Sequence, residues 1–231
     1  MDRQRTGDRG SDVGPALGLD VGATLTKLAV APAGEPEYFE LLIEMGDSAV
    51  ADRISSLGPS SVGLTGGGAR RLARALRQPV TEVDEFSAWG AGATALLARD
   101  GQHETTPFLL VSLGTGTSVL LVKEDSTHRV GGTALGGGTV LGLASALCNC
   151  RDFDDLCLLA ERGTRHTVDL MVSDVYPDAD SPLLLAGDIT ASCFARLAHP
   201  AGSDSKPSRE DLAAAIMGLI GENVALICSA L

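Results

Sequence analysis

Apolar residues fall in short runs broken by glycine, proline and small polar residues, and the length of each run decides which element it predicts. Ala16–Asp20 is a run of strand length, Gly22-Ala23-Thr24 a turn, and Thr26–Ala31 the return strand of a hairpin. Pro32–Pro36 predicts a second turn and Tyr38–Ile43 a third strand. Asp47 stands where a side chain caps a helix ending near Leu57. Ser61–Thr65 reads as a short buried strand, stopped by Gly66-Gly67-Gly68 and followed by a helix through Leu76. Val80–Val83 is another strand, and Asp84 caps an alanine-rich helix ending near Arg99. Alternation of this kind predicts an α/β fold.

The pattern restarts at Pro107. Phe108–Leu113 is almost continuously apolar, Gly114-Thr115-Gly116-Thr117 turns the chain, and Ser118–Val122 is the return strand. Arg129–Gly138 is glycine-dense and leads into an apolar helix through about Leu147. Asp152–Glu161 has helical spacing, Val168–Tyr176 fits either period, and Arg209–Leu231 predicts one long helix. Three parts are expected: a disordered leader over 1–15, an N-terminal lobe over 16–100, and a C-terminal lobe over 101–231.

Composition narrows the functional classes. With 231 residues and 44% hydrophobic content, the chain can bury a core of its own. Its formal net charge is −12 and its sequence shows no basic stripe of the kind a nucleic-acid surface needs, so no nucleic-acid partner is expected. The short run Arg70-Arg71, Arg74, Arg77 lies on an expected helix and reads as a solvated face. No run of consecutive apolar residues reaches membrane-spanning length, so no membrane span is expected. Met1–Pro15 carries arginines with no apolar segment behind them, unlike a secretory signal. Five cysteines, an odd number, predict reduced thiols and a cytoplasmic location. The spacing of Cys148, Cys150 and Cys157 is not that of a zinc site.

The two hairpins carry the candidate chemistry. Each turns on small residues and threonines, and two such loops can face each other across a cleft and offer backbone N–H groups to a phosphate chain. Singly, each is an ordinary tight turn. Asp20 and Lys27 beside the first loop strengthen the phosphate reading. A carboxylate ending an apolar strand is costly unless it holds a metal's water or a hydrogen bond.

These residues are similar to those of a known family. Asp20-Val21-Gly22-Ala23-Thr24-Leu25-Thr26-Lys27 resembles the first phosphate loop, D-x-G-G-T-x-x-K, of the type II pantothenate kinases in the actin–hexokinase superfamily. Leu113–Ser118 resembles their second loop. Arg129-Val130-Gly131-Gly132-Thr133 followed by Gly136-Gly137-Gly138-Thr139 resembles their R-V-G-G-T-x-x-G-G-G-T signature. Leu64–Ala69, Asp84-Glu85-Phe86, and Gly187–Ser192 with Phe194 fit in the same order. The implied fold is α/β, a two-lobed actin/hexokinase (ribonuclease H-like) architecture with mixed sheets flanked by helices.

The resemblance implies roles. Asp20, Val21, Gly22, Ala23, Thr24, Leu25, Thr26 and Lys27 would hold the ATP phosphates, with Lys27 at the β- and γ-phosphates. Thr115, Gly137, Gly138, Thr139, Val140 and Leu141 would line the nucleotide, and Phe153 would contact it. Glu85 would be the general base, although Asp84 and Glu85 also read as acids favoured in a first helical turn. Glu82 and Asp84 compete for the base role. Arg129 would pair with the carboxylate of pantothenate, and Ser118 would hydrogen-bond the same substrate. Magnesium follows from the phosphate chemistry, and a homodimer from the family.

Two departures stand out. Ala23 replaces the second glycine of the first loop. The family pattern also continues beyond the helix that ends at Leu231, so the second lobe is expected to be incomplete, with an open sheet edge. Two other readings follow from this: a non-catalytic nucleotide-binding protein, and a related ATPase that activates a dehydratase or reductase.

Overall fold

The computed structural model describes residues 14–22, 25–32, 38–42, 46–101, 107–176, 186–198 and 206–231. The chain divides into two compact units, Met1–Thr106 with Val122–His128, and Pro107–Leu121 with Arg129–Leu231. The expected leader lies outside the described residues up to residue 13.

The first unit runs β1 (Ala16–Val21), β2 (Thr26–Ala31), β3 (Tyr38–Leu42), α1 (Asp47–Ser56), β4 (Ser61–Thr65), α2 (Ala69–Ala73), β5 (Thr81–Glu82) and α3 (Glu85–Arg99). The sheet order is β3-β2-β1-β4-β5, with β1, β2 and β3 antiparallel and β4 and β5 parallel to β1. Side chains alternate across a strand. One face therefore collects Leu17, Leu19, Val21, Leu28, Val30, Val62 and Leu64, which form a core with Val50 and Ile54 of α1 and Leu72 of α2. The other face carries Gly18 and Asp20 on β1, Lys27 and Ala29 on β2, and Gly63 and Thr65 on β4, paired in register.

Three details differ from the expectations. Gly46, not Asp47, is the N-cap of α1, and no side chain caps it. Asp47 is the first helical residue, where its carboxylate meets both the helix dipole and Arg71 of α2 at 2.8 Å. The helix after the glycine triplet stops at Ala73 rather than Leu76. The expected strand Val80–Val83 shortens to Thr81–Glu82, although the Val83 N–H still donates to the Leu64 carbonyl at 2.8 Å.

The second unit is built on a three-stranded sheet, β6 (Phe108–Leu113), β7 (Thr117–Lys123) and β8 (Ser126–Thr133), in the order β6-β7-β8. Then come α4 (Gly137–Leu143), which runs on into a π-helical turn over Ala144–Cys148, α5 (Phe153–Ala160), and a 3₁₀ turn over Arg165–Thr167. β9 (Leu170–Met171), α6 (Val172–Val175), β10 (Thr190–Ser192), α7 (Ala195–Ala198) and α8 (Arg209–Ser229) complete it. β9 pairs with β10 in an antiparallel ribbon. Asp152 caps α5 by accepting from the Asp155 N–H, and Ser208 caps α8 by accepting from the Asp211 N–H, both at 3.0 Å.

The glycine-dense stretch Arg129–Gly138 is half strand, because β8 extends to Thr133. The ambiguous Val168–Tyr176 resolves into a two-residue strand and one helical turn. α8 is long and apolar enough in composition to cross a membrane. Its buried residues Ala213, Ile216 and Ile220 pack against Val140, Ala144, Cys148, Leu156 and Leu159, so its apolar content builds the core of this unit. The cysteines are free, and Cys148 and Cys150 are buried.

Candidate active site

One group of candidate residues grows from the polar face of the first sheet. Asp20, next to last in β1, lies directly opposite Lys27 on β2 and Thr65 on β4. The Lys27 Nζ donates to Asp20 Oδ2 at 2.8 Å. Gly66 then leaves the sheet at φ +88°, and a Cβ there would lie 2.7 Å from both Asp20 Oδ1 and the Val21 carbonyl. The Gly68 N–H donates to that same carbonyl at 2.9 Å, which binds the triplet to the end of β1. Glycine at position 66 is therefore required twice, by conformation and by space.

A cleft of about 350 Å³ opens beside this triplet, lined by Gly66, Gly67, Arg70, Glu82, Val83 and Glu85 among others. Its three acids, or near neighbours, differ in availability. Asp84 spends its carboxylate on Ser87, accepting from the N–H at 2.9 Å and the hydroxyl at 3.0 Å, and these bonds hold its carboxyl below the usual range. Glu82 is exposed and faces Arg70 at 3.5 Å. Glu85 is half-buried, and burial, followed by the Asp20 charge, pushes its carboxyl up. Of the three, Glu85 is best suited to take a proton.

Not every residue of the first loop points at a ligand. Val21 buries its side chain in the core, so only its backbone belongs to the loop. The Gly22 N–H donates to the Leu25 carbonyl at 3.0 Å, and Thr26 pairs back to Val21. Ala23 and Thr24 lie outside the described residues.

A second group of candidate residues belongs to the other unit, where two glycine loops are zipped together. The Gly137 N–H donates to the Gly114 carbonyl at 2.8 Å and the Gly138 N–H to the Thr115 carbonyl at 3.1 Å. A Cβ on Gly136 would come within 2.5 Å of the Gly116 carbonyl carbon. The Thr117 hydroxyl donates to the Leu135 carbonyl at 2.6 Å. The first two amides of α4 are thus committed to loop carbonyls. Thr139 is also engaged, accepting from the Gly136 N–H at 3.3 Å and donating to the Ala134 carbonyl at 3.2 Å. Val140 is core, whereas Thr115 and Leu141 are exposed. Phe153 opens α5 with 48% of its surface exposed.

The structure brings Ser118 and Arg129 together: the Arg129 Nε donates to the Ser118 Oγ at 3.4 Å. The bare Cα of Gly132 leaves the space in which this guanidinium lies. The group stays exposed, with a planar fork suited to a carboxylate.

One cluster was not legible in the sequence. Asp169 is fully buried, accepts from the Phe194 N–H at 2.8 Å, and leaves Oδ2 without a partner among the described residues. Burial pushes its carboxyl up. Arg165 pairs with Glu222 at 2.6 Å, and the Thr190 hydroxyl donates to Glu222 at 3.0 Å. These residues fasten the loop 187–194, with Phe194 held at φ +58°. Asp169 sits in the stretch whose period fitted both helix and strand, so nothing marked it as special.

Comparison with known proteins gives these features a family. The family model described as Fumble matches residues 33–231. The chain is 33% identical over 211 residues to a type II pantothenate kinase of Bacillus anthracis, covering 90% of this chain and 74% of that protein. It is 32% identical over 208 residues to a type II pantothenate kinase of Staphylococcus aureus (strain USA300), covering 90% of this chain and 76% of that protein. Among solved structures, component A of (R)-2-hydroxyglutaryl-CoA dehydratase from Acidaminococcus fermentans superposes with a TM-score of 0.62 at 18% identity, over 94% of this chain and 78% of that one. That likeness is one of fold, the actin/hexokinase-like architecture of mixed sheets flanked by helices. By the span of the Fumble match and the identity to these kinases, the chain belongs to the type II pantothenate kinase family.

Proposed function

We propose that this chain transfers the γ-phosphoryl group of ATP to the 4′-hydroxyl of pantothenate, giving 4′-phosphopantothenate and ADP at the opening of coenzyme A synthesis. One observation carries the reading: a half-buried Glu85 whose carboxyl is pushed up, set on a cleft in the same unit as the Asp20–Lys27 pair.

In this reading Glu85 accepts the hydroxyl proton as the pantothenate oxygen bonds to the γ-phosphorus. The bond from that phosphorus to the bridging oxygen breaks, and the electron pair leaves with ADP. Lys27 meets the charge that develops on the β- and γ-phosphates. Arg129 takes the pantothenate carboxylate in its fork, and Ser118 supports that guanidinium while offering its own hydroxyl to the substrate.

Magnesium fits the residues present. Asp20 supplies a carboxylate, and the Thr65 hydroxyl opposite it is buried without a hydrogen-bond partner among the described residues. Among the described residues no cluster of three or more acids, histidines or cysteines forms a cage, which suits an ion held mainly by phosphate and water. When bound with ATP, the ion would neutralise phosphate charge. A homodimer in the cytoplasm belongs to the same reading, and light scattering of the purified chain tests the oligomeric state.

The decisive experiment is ADP release coupled to a spectroscopic readout, with and without pantothenate. Pantothenate-dependent turnover that disappears in Glu85→Gln supports the assignment. Turnover indifferent to pantothenate, or unchanged in the variant, overturns it.

A further inference from the structure

A second cleft, of about 290 Å³, opens in the unit that carries α4 to α8. Its walls present Arg151, Arg162 and Arg209, with Asp155 and Leu158 between them. Asp155 and Leu158 lie on α5, and Arg151 and Arg162 stand just before and just after its two ends. Arg209 enters from the first residue of α8 and donates its Nε to the Cys148 carbonyl at 2.7 Å, which fixes the guanidinium in place.

This concentration of positive charge stands out in a chain with 30 acidic and 18 basic residues. Several other arginines find carboxylates: Arg71 with Asp47 at 2.8 Å, Arg165 with Glu222 at 2.6 Å, and Arg196 with Asp174 at 2.7 Å. The side chains of Arg151 and Arg162 make no hydrogen bond or ion pair among the described residues. Asp155 lies on the same wall and bridges to none of the three. Like charges gathered around a concavity repel unless an anion sits among them, and guanidinium forks match phosphate oxygens. Leu158, 56% exposed, adds an apolar surface beside the cations.

We propose that this cleft binds a phosphate-bearing ligand, its oxygens held by Arg151, Arg162 and Arg209 and any organic part resting on Leu158. None of these residues belongs to the loops at 20–27, 114–117 or 136–138. Phe153, the expected nucleotide contact, lies two residues from Asp155 and so on the opposite side of α5 by helical period. The site is independent of the kinase reading.

Calorimetry on the full chain at low ionic strength, where screening is weak, tests it with inorganic phosphate, pyrophosphate and phenyl phosphate as probes. Saturable binding should weaken about tenfold in Arg151→Gln/Arg162→Gln, as charge-assisted bonds are lost. It should persist in Arg99→Gln, a remote exposed control, and in Lys27→Met, which disables the phosphate loop. Tighter binding of phenyl phosphate than of inorganic phosphate identifies an organic ester, and equal binding identifies phosphate itself; both support the site. Binding unchanged in the double variant, abolished in Lys27→Met, or absent for all three probes overturns it. The melting temperature of the double variant verifies folding, and each single variant should show a partial loss should the double fail. Pantothenate-dependent turnover should be unaffected by these arginine changes, so the two readings fail separately.

Discussion

Asp20 Oδ2 and Lys27 Nζ stand 2.8 Å apart, on residues directly opposite each other in the β1–β2 pair. With the Lys27 side chain 55% exposed, the pair contributes little to stability, in the range of about 0–1 kcal/mol for surface ion pairs. In the proposed function its value is positional, since it holds the ammonium group beside the turn that follows β1. Lys27→Met is expected to lower kcat/KM for ATP by roughly 100-fold, the scale of removing one preorganised charge partner. The melting temperature should stay nearly unchanged. Steady-state kinetics beside differential scanning fluorimetry checks both halves of the expectation.

Glu85 should govern the acidic limb of the pH–rate profile. A base works when ionised, and burial followed by the Asp20 charge pushes this carboxyl up, while Lys27 pulls it down. The limb should therefore lie above the ordinary glutamate range. Asp20→Asn should move it to lower pH, and Lys27→Met to higher pH. A carboxyl raised by folding favours the folded state most below its unfolded value, and that contribution is lost as pH rises through the folded value. Glu85→Gln should accordingly gain stability relative to the parent chain as pH rises through this window. Residual turnover in each variant, profiled against pH, decides the matter.

Much of this was legible in the sequence, for physical reasons that differ from residue to residue. Asp84 ahead of an alanine-rich run announced a capped helix, and its carboxylate does accept from Ser87. The strand runs 16–20 and 26–31 stood out because each is short, apolar and bounded by a turn. The cap of α1 was misplaced because Gly46 has no side chain to signal it, and Asp47 finds Arg71, a partner distant in sequence. β8 was obscured by Gly131 and Gly132, which have low strand propensity. The commitment of the Gly137 and Gly138 amides to Gly114 and Thr115 depends on the folded approach of two loops, which local pattern does not encode. Asp169 escaped for the same reason, as its partner Phe194 lies 25 residues away.

Gly66→Ala should damage activity more than stability. At φ +88° a methyl group costs on the order of 1–2 kcal/mol from backbone conformation alone. Its Cβ would also press on Asp20 Oδ1 and the Val21 carbonyl, each 2.7 Å away. Relief requires Asp20 to move, which disturbs its pairing with Lys27. The variant should fold with a lowered melting temperature, and its kcat should fall well below what the unfolded fraction explains. A kcat in proportion to the folded population would refute the link between this glycine and Asp20.

Asp169→Ala should destabilise the second unit by about 1–3 kcal/mol, because it leaves the Phe194 N–H without its buried acceptor. Asp169→Asn keeps an acceptor in place and should cost less. The sign with pH follows from burial, which pushes the Asp169 carboxyl up. The parent chain is favoured at pH below the unfolded carboxylate value and loses that advantage as pH rises through the folded value. The asparagine variant should therefore compare best at the higher pH. Urea unfolding at several pH values reads this directly, and a pH-independent difference would remove Asp169 as a titrating group.

Arg129→Lys separates charge from geometry at the proposed carboxylate contact. Lysine keeps the positive charge but loses the planar fork and the Nε contact to Ser118 Oγ at 3.4 Å. Replacing a bidentate bond by a point charge costs binding that is made in both the ground and transition states, so KM for pantothenate should rise about tenfold while kcat changes little. Ser118→Ala should reproduce a smaller rise, since it loosens the guanidinium without removing it. KM for ATP should be indifferent to both changes. A fall in kcat with KM for pantothenate unchanged would instead place Arg129 on the transferring phosphoryl group, where its charge acts only as the transition state forms.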